Sequence, residues 1–319
     1  MKIPFYKCNS KGNSFIILSG HINDLESINQ REEIPYILPN NMVFIHNSSS
    51  AFKVDFCLSG KEISINKLSR ICNSIDNKGI DGFILLNRMD YGSYTGGSSI
   101  HYFNNDGSWE TFCLNGTICC SLILKEICSH HSKFLLSADY SNSKMPIEVL
   151  ENNVVQVELP NPMNMKFDEL KGWQKGSYKF YPILIDGLKC YYIHSGAKHL
   201  IIKSEDDKLF KNDLNLEKIL KKIRYNKLFL PHGVNVNIYR CKGSSTIQVK
   251  TYEKGIESMM PSCSSGSYAC AYHYYNCYER SSRIKILNDG GTSEIIFKAN
   301  GKNLFLSKGE IEYKGELEI

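Results

Sequence analysis

The feature that most constrains this chain is an internal match. Cys113-Leu114-Asn115-Gly116-Thr117-Ile118-Cys119-Cys120 and Cys263-Ser264-Ser265-Gly266-Ser267-Tyr268-Ala269-Cys270 align position for position, with a cysteine, a glycine three residues on and a cysteine seven on. Self-similarity of this kind implies two related halves. A chain of 319 residues has room for two domains of about 150 residues each. Each copy leads into a stretch with helical spacing, 115–129 and 265–280. The first has Ile118, Leu122 and Ile127 broadly on one side, and the second has Ala269, Tyr272 and Tyr275. The expectation is two halves, each presenting one cysteine at the mouth of a helix.

That placement has chemical consequences. A helix N-terminus carries unpaired N–H groups and partial positive charge, so a carboxylate can dock there. A thiol at the same place is expected to ionise more readily. Small residues after each cysteine, Asn115 and Gly116, and Ser264, Ser265 and Gly266, let the backbone approach an anion. Two such helices head to head would hold a small carboxylate between two sulfurs on opposite faces of one carbon. One thiolate could then remove an α-proton while the other thiol returns one from the far side. A single cysteine before a glycine turn is ordinarily a small buried hydrophobe. The pairing is what raises these two above that reading.

Composition narrows the rest. Hydrophobic residues make up 42% and charged residues 22%, as in an ordinary globular protein. The net charge of +5 is dispersed, so no nucleic-acid partner is expected. No apolar run approaches the ~18 residues that span a membrane, and the N-terminus lacks a signal-peptide core. The 12 cysteines therefore read as reduced thiols of a cytoplasmic protein. They contain no CxxC pair, and no metal site or cofactor is expected.

Alternating segments at 154–159, 234–239, 246–251 and 310–313 read as half-buried strands. Many strands and few helices make an α+β protein. Pro160-Asn161-Pro162 reads as a junction, giving halves of 1–159 and 160–305, with 306–319 as a final strand. The stretch of about 20–60 reads as an elaboration on the first half.

The motifs resemble, in order, those of the diaminopimelate epimerase family of pyridoxal-independent racemases and epimerases. Lys7-Cys8-Asn9-Ser10-Lys11-Gly12-Asn13-Ser14-Phe15 is similar to the family's K-M-x-G-x-G-N-D-F, and Gly79-Ile80-Asp81-Gly82 to its G-x-D element. Phe103-Asn104-Asn105-Asp106-Gly107-Ser108, followed by Cys113-Leu114-Asn115-Gly116, resembles F-N-x-D-G-S followed by C-G-N-G. In the second half Ser195-Gly196-Ala197-Lys198-His199 resembles G-N-P-H, Gly233-Val234-Asn235-Val236-Asn237 resembles G-x-N-V, and Glu253-Lys254-Gly255 resembles E-R-G. Cys263-Ser264-Ser265-Gly266 resembles the second cysteine motif.

The resemblance implies two similar domains, each a mixed sheet wrapped around a central helix, with an active site between them. It implies Cys113 and Cys263 as the catalytic pair, assisted by His199 and Glu253. It implies Asn13, Asn104 and Asn235 as substrate contacts, with Lys254 at the distal end of the substrate. The implied partner is a small amino acid, and a homodimer is possible. The implied activity is epimerisation of diaminopimelate from the LL to the meso form, for lysine and peptidoglycan supply.

Departures from the family pattern bear on the substrate. Leu114 and Ser264 stand where glycines follow the cysteines, Ala197 replaces an asparagine and Lys254 an arginine. Lysine keeps the charge and loses the two-pronged geometry. A racemase of another amino acid, a non-catalytic binding protein on the same frame and a thiol redox protein are the competing readings.

Overall fold

The computed structural model describes residues 2–21, 33–38, 42–47, 54–58, 61–76, 79–88, 98–110, 112–138, 144–168, 172–176, 179–211, 213–231, 233–278 and 281–318. Its helices are α1 (Ile65–Ile75), α2 (Leu114–Ile127), α3 (Asp207–Lys211), α4 (Asp213–Arg224) and α5 (Ser264–Cys277), set among many strands. The mixed two-domain architecture is the one expected. The helices expected at 115–129 and 265–280 are α2 and α5.

The two halves repeat one order of pairings. In the first, Lys2–Ser10 pairs antiparallel with Asn13–His21, which runs parallel to Gly82–Arg88. Gly82–Arg88 pairs antiparallel with Ser98–Asn104, which runs parallel to Lys133–Ala138. Two antiparallel steps to Lys144–Val149 and Val154–Pro160 complete it. In the second half the same sequence of antiparallel and parallel steps passes through Leu188–His194, Lys198–Lys203, Asn235–Gly243, Thr246–Glu253, Arg283–Asn288, Gly291–Ile296 and Lys302–Lys308. Each central helix links the fourth strand of its half to the fifth, because a parallel step needs a crossover. Val154–Pro160 and Lys302–Lys308 pair across the two halves, and Glu310–Glu318 returns to pair with Lys2–Ser10.

Of the strands read as half-buried, Val154–Pro160 alternates buried and partly exposed positions as expected, whereas Asn235–Gly243 is buried on both faces over its first six residues. In the first half Phe15, Ile17, Ile84 and Leu86 pack towards α2, while Ile16, Leu18, Phe83 and Leu85 pack with Leu68 and Cys72 of α1. In the second, Val236 and Ile238 join Leu216, Leu220 and Ile223 of α4. The polar alternates Asn235 and Asn237 are buried as well, on the face that carries the site. The central helices also differ from their amphipathic reading. α2 is buried continuously from Leu114 to Leu124, and α5 from Ser264 to Tyr274. A helix enclosed by its own sheet has no solvent face, so its polar positions must find partners inside.

Within the 20–60 stretch, the described strands Glu33–Leu38, Met42–Asn47, Val54–Leu58 and Lys61–Ser64 form a separate antiparallel sheet. The remainder of that stretch lies outside the described residues. Among the described residues no helix is long and apolar enough to cross a membrane, and no group of three His, Cys, Asp or Glu side chains is placed to hold a metal.

The repeated glycines serve packing. A Cβ on Gly266 would lie 2.1 Å from Asn237 Oδ1 and 3.2 Å from His199 Cε1, and one on Gly116 would lie 2.5 Å from Ile84 Cδ1. Gly266→Ala should cost about 1–3 kcal/mol, as overpacking does. Gly243→Ala, where a Cβ meets nothing within 4 Å, should be nearly neutral. Denaturant melts of the two variants compare them directly, and equal midpoints would refute the packing role.

Candidate active site

Cys113 and Cys263 are the N-caps of α2 and α5, with nearly identical backbone angles (φ −133°, ψ 105° and φ −132°, ψ 108°). Each carbonyl accepts the first helical N–H, from Thr117 at 2.9 Å and from Ser267 at 2.8 Å. The sequence repeat is therefore a repeat of local geometry. Cys113 Sγ accepts the Gly116 N–H at 3.3 Å, and Cys263 Sγ lies 3.5 Å from Ser265 Oγ.

The two N-termini meet head to head. Ser264 Oγ, at the start of α5, donates to Asn115 Oδ1, at the start of α2. Asn13 Nδ2 donates to the Ser262 carbonyl at 2.8 Å, and Asn115 Nδ2 lies 3.4 Å from Ser262 Oγ. Side chains of one half thus hold the residues at and just before the helix start of the other.

Between them lies a cavity of about 30 Å³. It is lined by both cysteines and by Asn13, Asn104, Leu114, Asn115, Asn235, Glu253, Lys254, Ser264 and Ser265, together with Ala197, Tyr102, Glu110 and Phe112. The space is narrow, and polar groups from both halves converge on it. A larger groove of about 770 Å³, by Lys11, Gly290, Gly291 and Lys308, contains neither thiol. The convergence of polar groups marks the site, and size does not.

Three expected site residues sit elsewhere. Gly116 and Gly266 do not line the cavity; they fit the helices onto the sheets and offer N–H groups to the sulfurs. His199 is fully buried behind Ser265, with Nε2 3.0 Å from Ser265 Oγ and Nδ1 3.0 Å from Asn237 Nδ2. Leu114 lines the cavity while its side chain is taken up in the apolar core, which reconciles it with a small anion nearby. Asn235 Oδ1 accepts the Lys254 N–H at 2.8 Å, and Asn104 Nδ2 donates to Ser108 Oγ at 2.8 Å, so both also brace the loops that carry the site.

The electrostatics revise one expectation. Burial pushes both thiols up, with Cys263 raised to about 12 and Cys113 further, and nearby Glu253 adds to each. The helix ends do not outweigh desolvation in this closed state. For Cys263 the Ser265 hydroxyl, the Gly266 N–H and Lys11 act in the opposite direction. Burial pushes Glu253 up to about 8, reinforced by Asp81 and Glu110 and opposed by Lys254. Its Oε2 has no hydrogen-bond partner among the described residues. Lys254 Nζ pairs with Glu110 Oε1 at 2.5 Å. Burial lowers His199 to about 3, so the ring is neutral.

Several contributors escaped sequence reasoning. Lys11 is buried, is lowered by burial to about 7 and interacts with Cys263. It falls on an unspecified position of the family's opening motif, so no pattern points to it. Glu110, Ser262 and Thr251 carried no signal either. Asn237 could have been found as a polar residue in an otherwise apolar strand.

A carboxyl raised in the folded state binds its proton more tightly folded than unfolded. Its stabilising effect is present below the ordinary carboxylate range and is lost as pH climbs through about 8. At about 1.4 kcal/mol per unit, Glu253 should cost the protein a few kcal/mol at pH 9. Glu253→Gln should therefore melt above the parent protein at pH 9 and close to it at pH 4. A constant difference between the two across that range would show that the carboxyl is hydrated.

No family model matches the chain. Curated diaminopimelate epimerases do. That of Hydrogenobaculum sp. is 28% identical over 67% of this chain and 72% of the relative. That of Aquifex aeolicus is 26% identical over 96% and 94%. Among solved structures, a probable proline racemase from Agrobacterium radiobacter with bound carbonate superposes with a TM-score of 0.61 at 11% identity, over 99% of this chain and 93% of that one. The chain is similar to diaminopimelate epimerases over most of its length and shares its fold with epimerases and racemases, and it is an isomerase.

Proposed function

We propose that the chain inverts the α-carbon of an amino acid by passing a proton between Cys113 and Cys263 without a cofactor, and that diaminopimelate, taken from the LL to the meso form for lysine and peptidoglycan supply, is its substrate. The observation that carries this reading is the pair of cysteine N-caps meeting head to head around one closed cavity.

The substrate carboxylate docks between the two helix ends, whose N–H groups gain strength as negative charge develops on it. One thiolate takes the α-proton, and the C–H electron pair passes into the carbanion that the carboxylate stabilises. The opposite thiol protonates that carbon from the other face, so the pair ends with the proton exchanged. Closure excludes water and with it premature quenching. Both sulfurs must stay reduced, which suits the cytoplasm. The eleven cysteines other than Cys57 are free of a disulfide. The same reading treats 1–159 and 160–305 as the domains that open and close, with 306–319 returning to the first.

Cys113→Ser and Cys263→Ser should each lower inversion at least 10²-fold, the lower end of what proton transfer contributes. Appearance of the opposite configuration, followed by chiral chromatography across a panel of amino acids, measures it. Full-rate inversion by either variant would end the two-thiol reading.

One observation favours a second substrate reading. Lys254, expected at the distal end, is already paired with Glu110 in the cavity wall. A neutral pair selects a distal carboxylate less strongly than a free cation, so an amino acid without one becomes the alternative. On the diaminopimelate reading, Glu110 instead faces the distal ammonium. Glu110→Gln should then weaken diaminopimelate turnover, whereas on the alternative reading it should raise turnover of substrates bearing a second carboxylate. The ratio of kcat/KM values across the panel decides between the two.

A further inference from the structure

Behind Cys263 runs a line of buried hydrogen bonds with a single internally consistent direction. Thr251 Oγ1 donates to Asn237 Oδ1 at 2.9 Å. Asn237 Nδ2 lies 3.0 Å from His199 Nδ1 and 3.5 Å from the carbonyls of Leu200 and Asn235. Carbonyls can only accept, so the amide must present its NH₂ on that side. His199 Nδ1 is then the acceptor, and the single proton of a neutral ring sits on Nε2. Nε2–H faces Ser265 Oγ at 3.0 Å and donates to it. The Ser265 hydroxyl proton is left for the remaining neighbour, Cys263 Sγ, at 3.5 Å. Thr251, Asn237 and His199 are essentially inaccessible, and Ser265 and Cys263 are 6% and 5% exposed. Water therefore does not compete for these bonds.

The first half has no counterpart. Asn115 occupies the place of Ser265, and its amide is turned to Ser262 and Ser264. Among the described residues, Cys113 Sγ receives the Gly116 N–H alone. The duplicated scaffold thus treats its two sulfurs differently.

We propose that Asn237 and Thr251 are positioning residues which, through a fixed tautomer of His199, hold the Ser265 hydroxyl as a donor to Cys263 and make Cys263 the first of the two thiols to ionise. The proposal deepens the two-thiol reading and depends on it only for its catalytic consequence. In that reading Cys263 starts as the base and Cys113 as the acid, and each turnover must return the proton to Cys113. The other ionisable groups that act on Cys263 are Glu253 and Cys113 across the cavity, Cys270 two turns along α5 and Lys11. None of them belongs to the line, so cutting it leaves their fields in place.

Alkylation by iodoacetamide, followed against pH with each modified cysteine located by peptide mass spectrometry, reads the two sulfurs separately. Asn237→Asp is nearly isosteric but cannot donate to Nδ1. A ring that stays neutral then carries its proton on Nδ1, Nε2 becomes an acceptor and the Ser265 hydroxyl turns away from the sulfur; a ring that takes a second proton beside the carboxylate keeps Nε2–H, and the uncharged Asn237→Leu then decides. The Cys263 profile should move up by about one pH unit, a tenfold loss of rate at fixed pH, while the Cys113 profile stays. Asn237→Leu removes the donor without adding a charge and should shift Cys263 in the same direction. It carries the test if the aspartate unfolds the protein, which would be evident as fast modification of both sulfurs. Thr251→Val should produce a smaller shift of the same sign, and no shift would remove Thr251 from the line. An unmoved Cys263 profile in a folded Asn237 variant, or an equal shift of both sulfurs, overturns the proposal. Alkylation needs no turnover. A selective shift in a protein that exchanges no α-proton would leave the line standing and defeat the reading of function instead.

Discussion

Two buried helix N-termini facing one another set the terms for this protein. Each end carries partial positive charge and N–H groups without helical partners, and neither can turn to solvent, because each helix is enclosed by its own sheet. The first half answers the second with side chains: Asn115 takes the Ser264 hydroxyl, and Asn13 takes the Ser262 carbonyl. What remains between the ends is a small polar space lined by both cysteines. The duplicated sheets, their crossovers and the glycines at 116 and 266 bring this meeting about. The apolar strand faces supply the burial that holds it closed.

Enclosure has an electrostatic cost, and the surrounding groups distribute it. Thiolates are disfavoured by burial on both sides of the cavity, Glu253 is held protonated through neutrality, and Lys254 is balanced by Glu110. The charges around the site nearly balance as a result. A zwitterionic amino acid fits such a place better than a net anion or cation.

Much of this was legible in the chain. The matched Cys-x-x-Gly frames announced two halves and placed the helices to within two residues at their starts. The ordered motifs gathered Asn13, Asn104, Asn235, Glu253 and Lys254 around the sulfurs. The errors share a cause. Alternation was read as one buried face and one wet face, but a sheet with helices on both sides buries its polar alternates too, and that is where Asn235 and Asn237 lie. The glycines were read as making room for an anion, when the atoms they avoid are Asn237, His199 and Ile84. The thiols were read as acidic from the helix ends alone, and the desolvation that opposes this depends on tertiary enclosure, which no local pattern encodes. Glu110 and Lys11 were invisible because their meaning comes entirely from what the fold sets beside them.

Duplication gives two equivalent positions, and inversion of a carbon asks for two groups that are equivalent in place yet opposite in protonation. A symmetric pair would share its proton equally and leave the choice of base to chance. Replacing a single residue in the frame, Asn115 in one copy and Ser265 in the other, breaks that symmetry at little structural cost. The asparagine joins the halves and the serine serves a sulfur. The helix caps keep the geometry paired, and the chain of donors from Thr251 to Ser265 keeps the charges unlike. Because that chain is neutral throughout, its bias can stay small enough for the proton to be handed back in either direction, which a strong fixed charge beside one thiol would prevent.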